Sequence, residues 1–239
     1  LGLLGSNIKG YGCAGIDTVS YGLVMQEIER ADSGLRSFAS VQGALCMYPI
    51  YAYGSEEQKE KYLPQMAKGE IIGCFGLTEP DYGSNPGGML TTATEVSDGY
   101  ILQGNKMWIT NSTQADFFCL LANTSDDKPH VNKSMIIVPS NAAGVSFSKK
   151  LNKMGMRSSD TAQIFFDNVR VPQSNRVGAE GMGFMMQMMQ FQEERLYGAA
   201  NAIGGMEACI EKTIEYCRER TTFGQPLIDN QVIHFRFAE

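Results

Sequence analysis

The chain changes from a helical to a strand-like pattern at Gly73-Cys74-Phe75-Gly76-Leu77-Thr78-Glu79-Pro80-Asp81-Tyr82-Gly83-Ser84. This run offers main-chain N–H groups, the hydroxyls of Thr78 and Ser84, and a glycine that allows close approach of a ligand. Loops of this composition suit the binding of a planar polar ring or a pyrophosphate. We therefore expect a ligand site at the junction between a helical region and a β region.

The region before this junction, residues 1–70, is predicted to be helical from its capping signals. Ser55 and Gln58 have the spacing of a capping box, and Gly69 follows a basic last turn. The predicted helices run from Asp17 to about Arg30, from Asp32 or Ser33 to about Tyr48-Pro49, and from Ser55 to Lys68-Gly69.

The region after it, residues 71–175, is predicted to form short strands. Ser97-Asp98-Gly99 is a strong hairpin signal. The predicted strands are Thr91–Val96, Tyr100–Gln103, Lys106–Thr110, Phe117–Ala122, Ser134–Val138, Val145–Ser148 and Gln163–Phe166. Short strands at this spacing favour a small antiparallel barrel or sandwich.

The last region, residues 176–239, is predicted to be helical again. About 38 residues from Gly181 to Arg218 contain no proline, and a further helix is predicted near Leu227. The chain is thus expected to be an α+β multidomain protein with a helical segment, a middle β domain and part of a C-terminal helical bundle. Because it ends at Phe237-Ala238-Glu239 inside an apparent helix, we expect it to be part of a longer protein.

Composition excludes several classes of function. The 239 residues include 20 Lys and Arg against 26 Asp and Glu, a balance that argues against a general nucleic-acid binder. No apolar stretch is long enough to span a bilayer, and the N-terminus lacks the pattern of a secretory signal. Six cysteines without metal-ligand spacing and two distant histidines predict no metal site. Reduced thiols would fit a mitochondrial matrix or a bacterial cytoplasm rather than secretion.

The run Gly10-Tyr11-Gly12-Cys13-Ala14-Gly15 matches the pattern GxGxxG. This pattern indicates dinucleotide binding only after a strand and at the start of a helix within a βαβ unit. No convincing strand precedes it and three predicted helices follow. A glycine-rich loop that leads into a helix is therefore favoured over an NAD site.

A second unusual run, Lys106-Met107-Trp108-Ile109-Thr110-Asn111, contains the only Trp of the chain. A lone Trp usually belongs to a core, but Trp beside Thr and Asn at a strand end could flank a bound aromatic ring. Together with the junction run, it resembles the acyl-CoA dehydrogenase family. The matching residues are Leu77-Thr78-Glu79-Pro80, Gly83-Ser84, Trp108-Ile109-Thr110-Asn111, Arg220, Phe223-Gly224 and Gln231.

This resemblance covers essentially the whole chain and implies FAD bound between the β domain and the C-terminal helices. One side of the flavin and the pyrophosphate would be lined by Phe75, Gly76, Leu77, Thr78, Gly83 and Ser84. The other side of the ring would be covered by Trp108, Ile109 and Thr110, and the FAD of a neighbouring subunit would be reached by Arg220, Phe223 and Gln231. The resemblance therefore also implies a homo-oligomer, either a dimer or a tetramer.

The implied reaction is the α,β-dehydrogenation of an acyl-CoA thioester to the 2-enoyl-CoA, in fatty acid or amino acid catabolism, with electrons passed to an electron-transfer flavoprotein. It needs a glutamate base in a dry pocket, because burial raises the pKa toward the working pH. The resemblance to isovaleryl and long-chain members puts Glu194 in this role, since it precedes Arg195-Leu196; most members carry the base in a segment past residue 239. Arg195 would help to tune the site. Without the resemblance, Glu193-Glu194-Arg195 is typical of a solvated helix face.

The two halves of the chain point to different substrates. The first resembles glutaryl-CoA dehydrogenases, in which the positions of Glu29 and Arg36 help to receive a distal carboxylate. The second resembles the branches that act on monocarboxylic acyl-CoA, and Ser84 would touch the acyl-CoA in either case. Two other functions stay open: Gly83-Ser84-Asn85 resembles some acyl-CoA oxidases, and a chain without closing helices could be a catalytically silent acyl-CoA-binding or protein-binding fragment.

Overall fold

The computed structural model describes residues 1–239. Its α-helices are α1 Thr18–Ala31, α2 Ser33–Ser40, α3 Tyr48–Tyr53, α4 Glu56–Lys68, α5 Gly183–Glu219 and α6 Gln231–Ala238, with a π-helical segment Val41–Met47 between α2 and α3. Its strands are β1 Gly73–Gly76, β2 Thr92–Val96, β3 Gly99–Thr110, β4 Phe117–Asn123, β5 Lys133–Pro139, β6 Val145–Phe147, β7 Thr161–Pro172, β8 Arg176–Val177, β9 Thr221–Thr222 and β10 Gln225–Pro226. None of the helices combines the length and apolar character needed to cross a membrane.

The helix caps predicted for the first region are confirmed. The carboxylate of Asp17 accepts hydrogen bonds from the amides of Val19 and Ser20 at the start of α1. Ser55 and Gln58 form a reciprocal capping box, and Gly69 ends α4 in the left-handed conformation. Each of these signals acts within one helical turn, so local sequence is sufficient to predict it.

The predicted end of the second helix near Tyr48-Pro49 is wrong, because helical structure continues to Tyr53. The π-helical segment changes the hydrogen-bond register before the proline, and Pro49 then falls in the first turn of α3. A proline is tolerated in a first turn, where its missing N–H costs little.

The predicted β domain is confirmed, but its sheet is mixed and open rather than a closed antiparallel barrel. The strand order is β6-β7-β3-β2-β4-β5-β8, and β1 pairs with β4 in parallel. The two strands predicted at Tyr100–Gln103 and Lys106–Thr110 are one strand, β3, with irregular pairing on either side of Lys106. Sequence analysis missed β1, which has only four residues, two of them glycine.

Strand β4 joins two hydrophobic clusters on opposite faces of the sheet. Phe117, Cys119 and Leu121 pack with α3, α4 and the π-helical segment, whereas Phe118, Leu120 and Ala122 pack with β3 and β7. The alternation follows from the two-residue period of a strand. We propose the division at residues 70 and 175. The gap between α4 and β1 supports the first boundary, whereas β8, which pairs with β5, extends the sheet two residues past the second, to Val177.

The long helix α5 packs against α1. Tyr21 and Tyr197 meet edge to face with ring centroids 4.7 Å apart, and Gln26 donates a hydrogen bond to the carbonyl of Ala200 over 3.0 Å. Farther along, Arg30 pairs with Glu207 at 2.7 Å. These contacts hold the middle of α5 over the helical region and fix which of its residues face inward.

Candidate active site

A cavity of about 340 Å³ lies between α1, the α2–π-helical segment and α5. Its polar lining residues are Tyr21, Glu29, Arg36, Ser40, Glu194, Tyr197 and Asn201. The structure thus brings Glu194 and Arg36, two sequence-predicted site residues that lie 158 positions apart, into one cavity.

Glu194 is one of two half-buried carboxylic acids of this cavity, the other being Glu29, whereas the neighbouring Glu193 is exposed. Burial raises the pKa of Glu194 to about 7, against the opposing effects of the Arg36 and Arg195 guanidinium groups. A carboxyl with this pKa exists in both protonation states near neutral pH, so it can take up and release a proton under those conditions. Of the run Glu193-Glu194-Arg195, which alone is typical of a solvated helix face, Glu194 is therefore turned into the cavity.

Arg36 is held in place by two neighbours. Its Nε donates to Glu29 over 2.5 Å, and its Nη1 donates to the Ser40 hydroxyl over 3.2 Å. Burial works to raise the pKa of Glu29, but the hydrogen bonds from Arg36 and from Ser33 outweigh it and lower the pKa. Because a guanidinium carries five N–H donors, Arg36 keeps donors that these two bonds do not use.

Arg195 does not line the cavity. Its side chain is exposed, and its guanidinium lies over the ring of Phe191, 5.6 Å from the centroid. It acts on the pKa of Glu194 less than Arg36 does. A role beside the site, where it would help to tune the site for its substrate, remains a prediction for this residue.

The junction run separates into a buried part and an exposed part. Phe75, Gly76 and Leu77 are buried, and the side chains of Phe75 and Leu77 belong to the core. Gly83 and Ser84 are exposed. The buried residues can therefore offer a ligand only their main chain, whereas the exposed end of the loop can offer main chain and hydroxyl.

Trp108 lies in the exposed part of β3. One extra residue between Lys106 and Ile109 forms a bulge, and Trp108 adopts the left-handed conformation there, with φ of 61°. A bulge re-aims a side chain, and the indole is 59% exposed, while Ile109 is buried and Thr110 half-buried. The Met107 amide donates to the Thr78 carbonyl over 2.7 Å, which ties this bulge to the junction run.

Arg220, Phe223 and Gln231 are exposed and lie beyond the far end of α5. Phe223 and Gly224 form the tip of the β9–β10 hairpin, and the Phe223 side chain is fully exposed. Arg220 follows Glu194 by 26 residues, which corresponds to about 39 Å along a helix that rises 1.5 Å per residue. Within one chain, these three residues therefore do not join the cavity.

Sequence reasoning missed several polar residues at the site. Tyr197 and Asn201 follow Glu194 by three and seven positions, so helical periodicity on α5 could have found them.

A buried ion pair lies at the junction run, outside the cavity. Lys106 is completely buried and pairs with Glu79 over 2.9 Å. Burial lowers the pKa of Lys106 to about 8, although the neighbouring Glu79 raises it.

A helical layer, a mixed sheet and a long helix that carries a half-buried glutamate near an arginine define an α+β protein with a cavity between its helical parts. Three family models match this chain: the acyl-CoA dehydrogenase N-terminal domain over residues 1–70, the middle domain over 74–169, and the C-terminal domain over 181–239. The chain belongs to the acyl-CoA dehydrogenase family.

Three similar proteins illustrate the match. An acyl-CoA dehydrogenase from Bacillus subtilis is 39% identical over 239 residues, covering 100% of this chain and 63% of the relative. The structure of a glutaryl-CoA dehydrogenase from Mycobacterium smegmatis in complex with FADH2 is 43% identical, with a TM-score of 0.90 and coverage of 99% of this chain and 60% of that one. Butyryl-CoA dehydrogenase from Megasphaera elsdenii is 37% identical, with a TM-score of 0.92 and coverage of 99% and 63%. The chain thus spans less than two thirds of the length of these proteins.

Proposed function

We propose that this chain is the FAD-binding part of an enzyme that dehydrogenates an acyl-CoA thioester between its α and β carbons. The observation that carries the proposal is Glu194, a half-buried carboxyl whose pKa is raised to about 7 in a cavity large enough for a short acyl group. The family membership supplies the reaction class, and the cavity supplies the residue types that the reaction needs.

The exposed residues fit a flavin. The left-handed bulge presents the Trp108 indole outward, next to the main chain of Thr78, and an aromatic face of this kind can stack on a planar ring. The main-chain N–H groups and the hydroxyl at Gly83 and Ser84 suit a pyrophosphate. The residues that would hold FAD are Phe75, Gly76, Leu77, Thr78, Gly83, Ser84, Trp108, Ile109 and Thr110. Bound FAD would supply the hydride acceptor that no side chain of the chain provides.

Glu194 would take the α-proton of the thioester. Burial makes its carboxylate a stronger base than an exposed glutamate, because burial disfavours the charged form. Arg36 and Arg195 oppose this effect, so that the pKa stays near neutral pH rather than rising further. A base with a pKa near the working pH combines a large ionised fraction with a strong tendency to accept a proton.

The lining of the cavity favours a short acyl group with a polar end. Arg36 retains unused N–H donors, and the hydroxyls of Tyr21, Ser40 and Tyr197 line the same space. A carboxylate suits a guanidinium because two parallel hydrogen bonds can form between them. We therefore place a dicarboxylic acyl-CoA such as glutaryl-CoA ahead of a purely apolar acyl-CoA, in line with the 43% identity to a glutaryl-CoA dehydrogenase.

The proposed assembly rests on the exposed end of the chain. Because Arg220, Phe223 and Gln231 lie far from the cavity of their own chain, we propose that they contact FAD in a neighbouring subunit of a dimer or tetramer. An electron-transfer flavoprotein is the proposed acceptor. The mitochondrial matrix or bacterial cytoplasm remains the predicted compartment.

An anaerobic titration of the FAD-loaded chain would test this function. Butyryl-, isovaleryl-, octanoyl- and glutaryl-CoA are added separately, and the visible flavin band is followed. We expect bleaching, strongest with glutaryl-CoA. Bleaching by monocarboxylic thioesters alone would remove the carboxylate role of Arg36, and rapid reoxidation in air with peroxide formation would favour an oxidase. Absence of bleaching in a chain that holds FAD would favour a silent binding fragment.

A further inference from the structure

The buried pair of Lys106 and Glu79 has no part in the proton transfer proposed above. Lys106 is completely buried and Glu79 is 4% exposed. Leaving either charge buried alone would be costly, so each needs the partners that it has. Glu79 belongs to the junction run, and Lys106 comes from the neighbouring strand β3, so the pair joins these two parts of the chain.

The Lys106 ammonium is bonded to the junction run at two points. It donates to the main-chain carbonyl of Leu77 over 3.0 Å and to the carboxylate of Glu79 over 2.9 Å. The methylene stem of Lys106 passes close to Gly76, where a Cβ would lie 3.4 Å from its Cγ. Lys106 thus contacts the buried part of the run along its length.

The Glu79 carboxylate binds the other end of the same loop, at Leu90 and Thr91. Its two oxygens accept hydrogen bonds from the amides of Leu90 and Thr91, over 2.6 and 2.9 Å. The Glu79 main chain exchanges two hydrogen bonds with Tyr82, over 3.1 and 3.2 Å. Residues 77 and 91, which begin and end the loop, are therefore tied to one buried ion pair.

The exposed residues of the loop have little support of their own. Gly83 has no atom within 4 Å of the place where a Cβ would be, and both Gly83 and Ser84 are exposed. Lys106 also lies two residues before Trp108, and the amide of Met107 bonds the carbonyl of Thr78. One buried side chain therefore connects both groups of residues proposed to contact the flavin.

We propose that Lys106, through Glu79 and the carbonyl of Leu77, is a positioning residue that fixes the loop of residues 77–91 relative to the Trp108 bulge. This inference rests on the proposed function, because it assumes that the loop and the bulge hold FAD. Lys106 acts through the main chain and does not touch the flavin.

Lys133 provides a matched control. It too is a buried lysine of the β domain, 1% exposed; burial lowers its pKa and the nearby Glu79 opposes this effect. Its ammonium, however, donates its hydrogen bond to the side chain of Asn132 rather than to the junction run, so it is a second cation near Glu79 without a bond to the loop. Lys106→Met and Lys133→Met each remove a buried ammonium and keep a stem of similar length. Only the first removes the contacts to Leu77 and Glu79.

The test measures two quantities on each variant. One is the dissociation constant for FAD, and the other is the hydrogen-exchange rate of the Met107 and Tyr82 amides in the flavin-free chain. For Lys106→Met we expect at least a tenfold weaker affinity for FAD and faster exchange at both amides. For Lys133→Met we expect both quantities to stay within about twofold of wild type, even if its melting temperature falls.

The double variant Glu79→Gln/Lys106→Met separates positioning from stability. It removes both buried charges, so it should unfold at a higher temperature than Lys106→Met alone. Its affinity for FAD should nevertheless stay low, because the Leu77 carbonyl still lacks its donor and glutamine leaves one of the Leu90 and Thr91 amides without its acceptor. Recovery of the affinity together with the melting temperature, or unchanged exchange at Met107 and Tyr82 in Lys106→Met, would overturn the inference. A wild-type chain that binds no FAD would instead overturn the proposed function. The hydrogen-exchange measurement would in that case still show whether Lys106 holds the loop in place.

Discussion

Replacing Glu194 by glutamine should make the chain more stable at alkaline pH. The pKa of Glu194 is about 7 in the folded chain and 4.5 without perturbation. At about 1.36 kcal/mol per pH unit, this difference amounts to roughly 3 kcal/mol of stability. Because the folded pKa is the higher one, the wild type loses this stability as the pH rises from about 4.5 to 7, and the loss is complete above that range. Glutamine does not ionise and avoids the loss.

Urea and thermal unfolding of wild type, Glu194→Gln and Glu193→Gln, each at pH 4.5 and pH 8, would measure this effect. At pH 8 we expect Glu194→Gln to gain about 3 kcal/mol, or roughly 6–12 °C in Tm for a chain of this size. At pH 4.5 the gain should nearly vanish. The exposed Glu193→Gln should stay close to wild type at both values. A gain in stability that is equal at the two pH values, or no gain at pH 8, would refute the reasoning that folding raises the pKa of Glu194.

Three further predictions concern the cavity, the flavin surface and a helix cap. Arg36→Met removes the cation that most strongly lowers the pKa of Glu194, so the pH profile of flavin reduction by butyryl-CoA should move to higher pH. Arg195→Gln should move the profile less. An unchanged midpoint of the profile in Arg36→Met would contradict the effect of Arg36 on Glu194. Trp108→Ala should weaken FAD binding at least tenfold in a fluorescence titration with FAD. The same variant should change the unfolding free energy by about 0.5 kcal/mol or less, because the indole is 59% exposed. Trp108→Phe keeps an aromatic face and should retain most of the affinity for FAD. Ser55→Ala should lower the unfolding free energy by about 1 kcal/mol in urea, since it removes the side chain that accepts from the Gln58 amide; an effect near zero would mean that the capping box does not stabilise α4.

The helices and most strands could be predicted because their signals are local. The caps at Asp17, Asp32 and Ser55 act over three residues, and the continuous apolar run of β4 indicates burial on both faces of the sheet. The π-helical segment before Pro49 could not be predicted, since a change of hydrogen-bond register leaves no trace in composition. Likewise, the parallel pairing of β1 with β4 joins residues 44 positions apart.

The candidate site was predictable only in part. The residues alone would have made Glu193-Glu194-Arg195 a solvated face, and the resemblance to a family was needed to single out Glu194. The exposure of Trp108 depends on a bulge in β3, and the burial of Lys106 depends on its pairing with Glu79, 27 positions earlier. Such features arise from tertiary packing, which local pattern does not encode.

The most direct test of the central claim is the anaerobic reduction of the FAD-loaded chain by an acyl-CoA that bleaches the wild type, compared between Glu194→Gln and Glu193→Gln. Stopped-flow absorbance would give the rate of flavin reduction, and a separate titration would give the affinities for FAD and for the thioester. If Glu194 is the base, Glu194→Gln keeps both affinities and loses reduction by at least a thousandfold, while Glu193→Gln reduces at close to the wild-type rate. Normal reduction by Glu194→Gln would contradict the account and place the base outside this cavity.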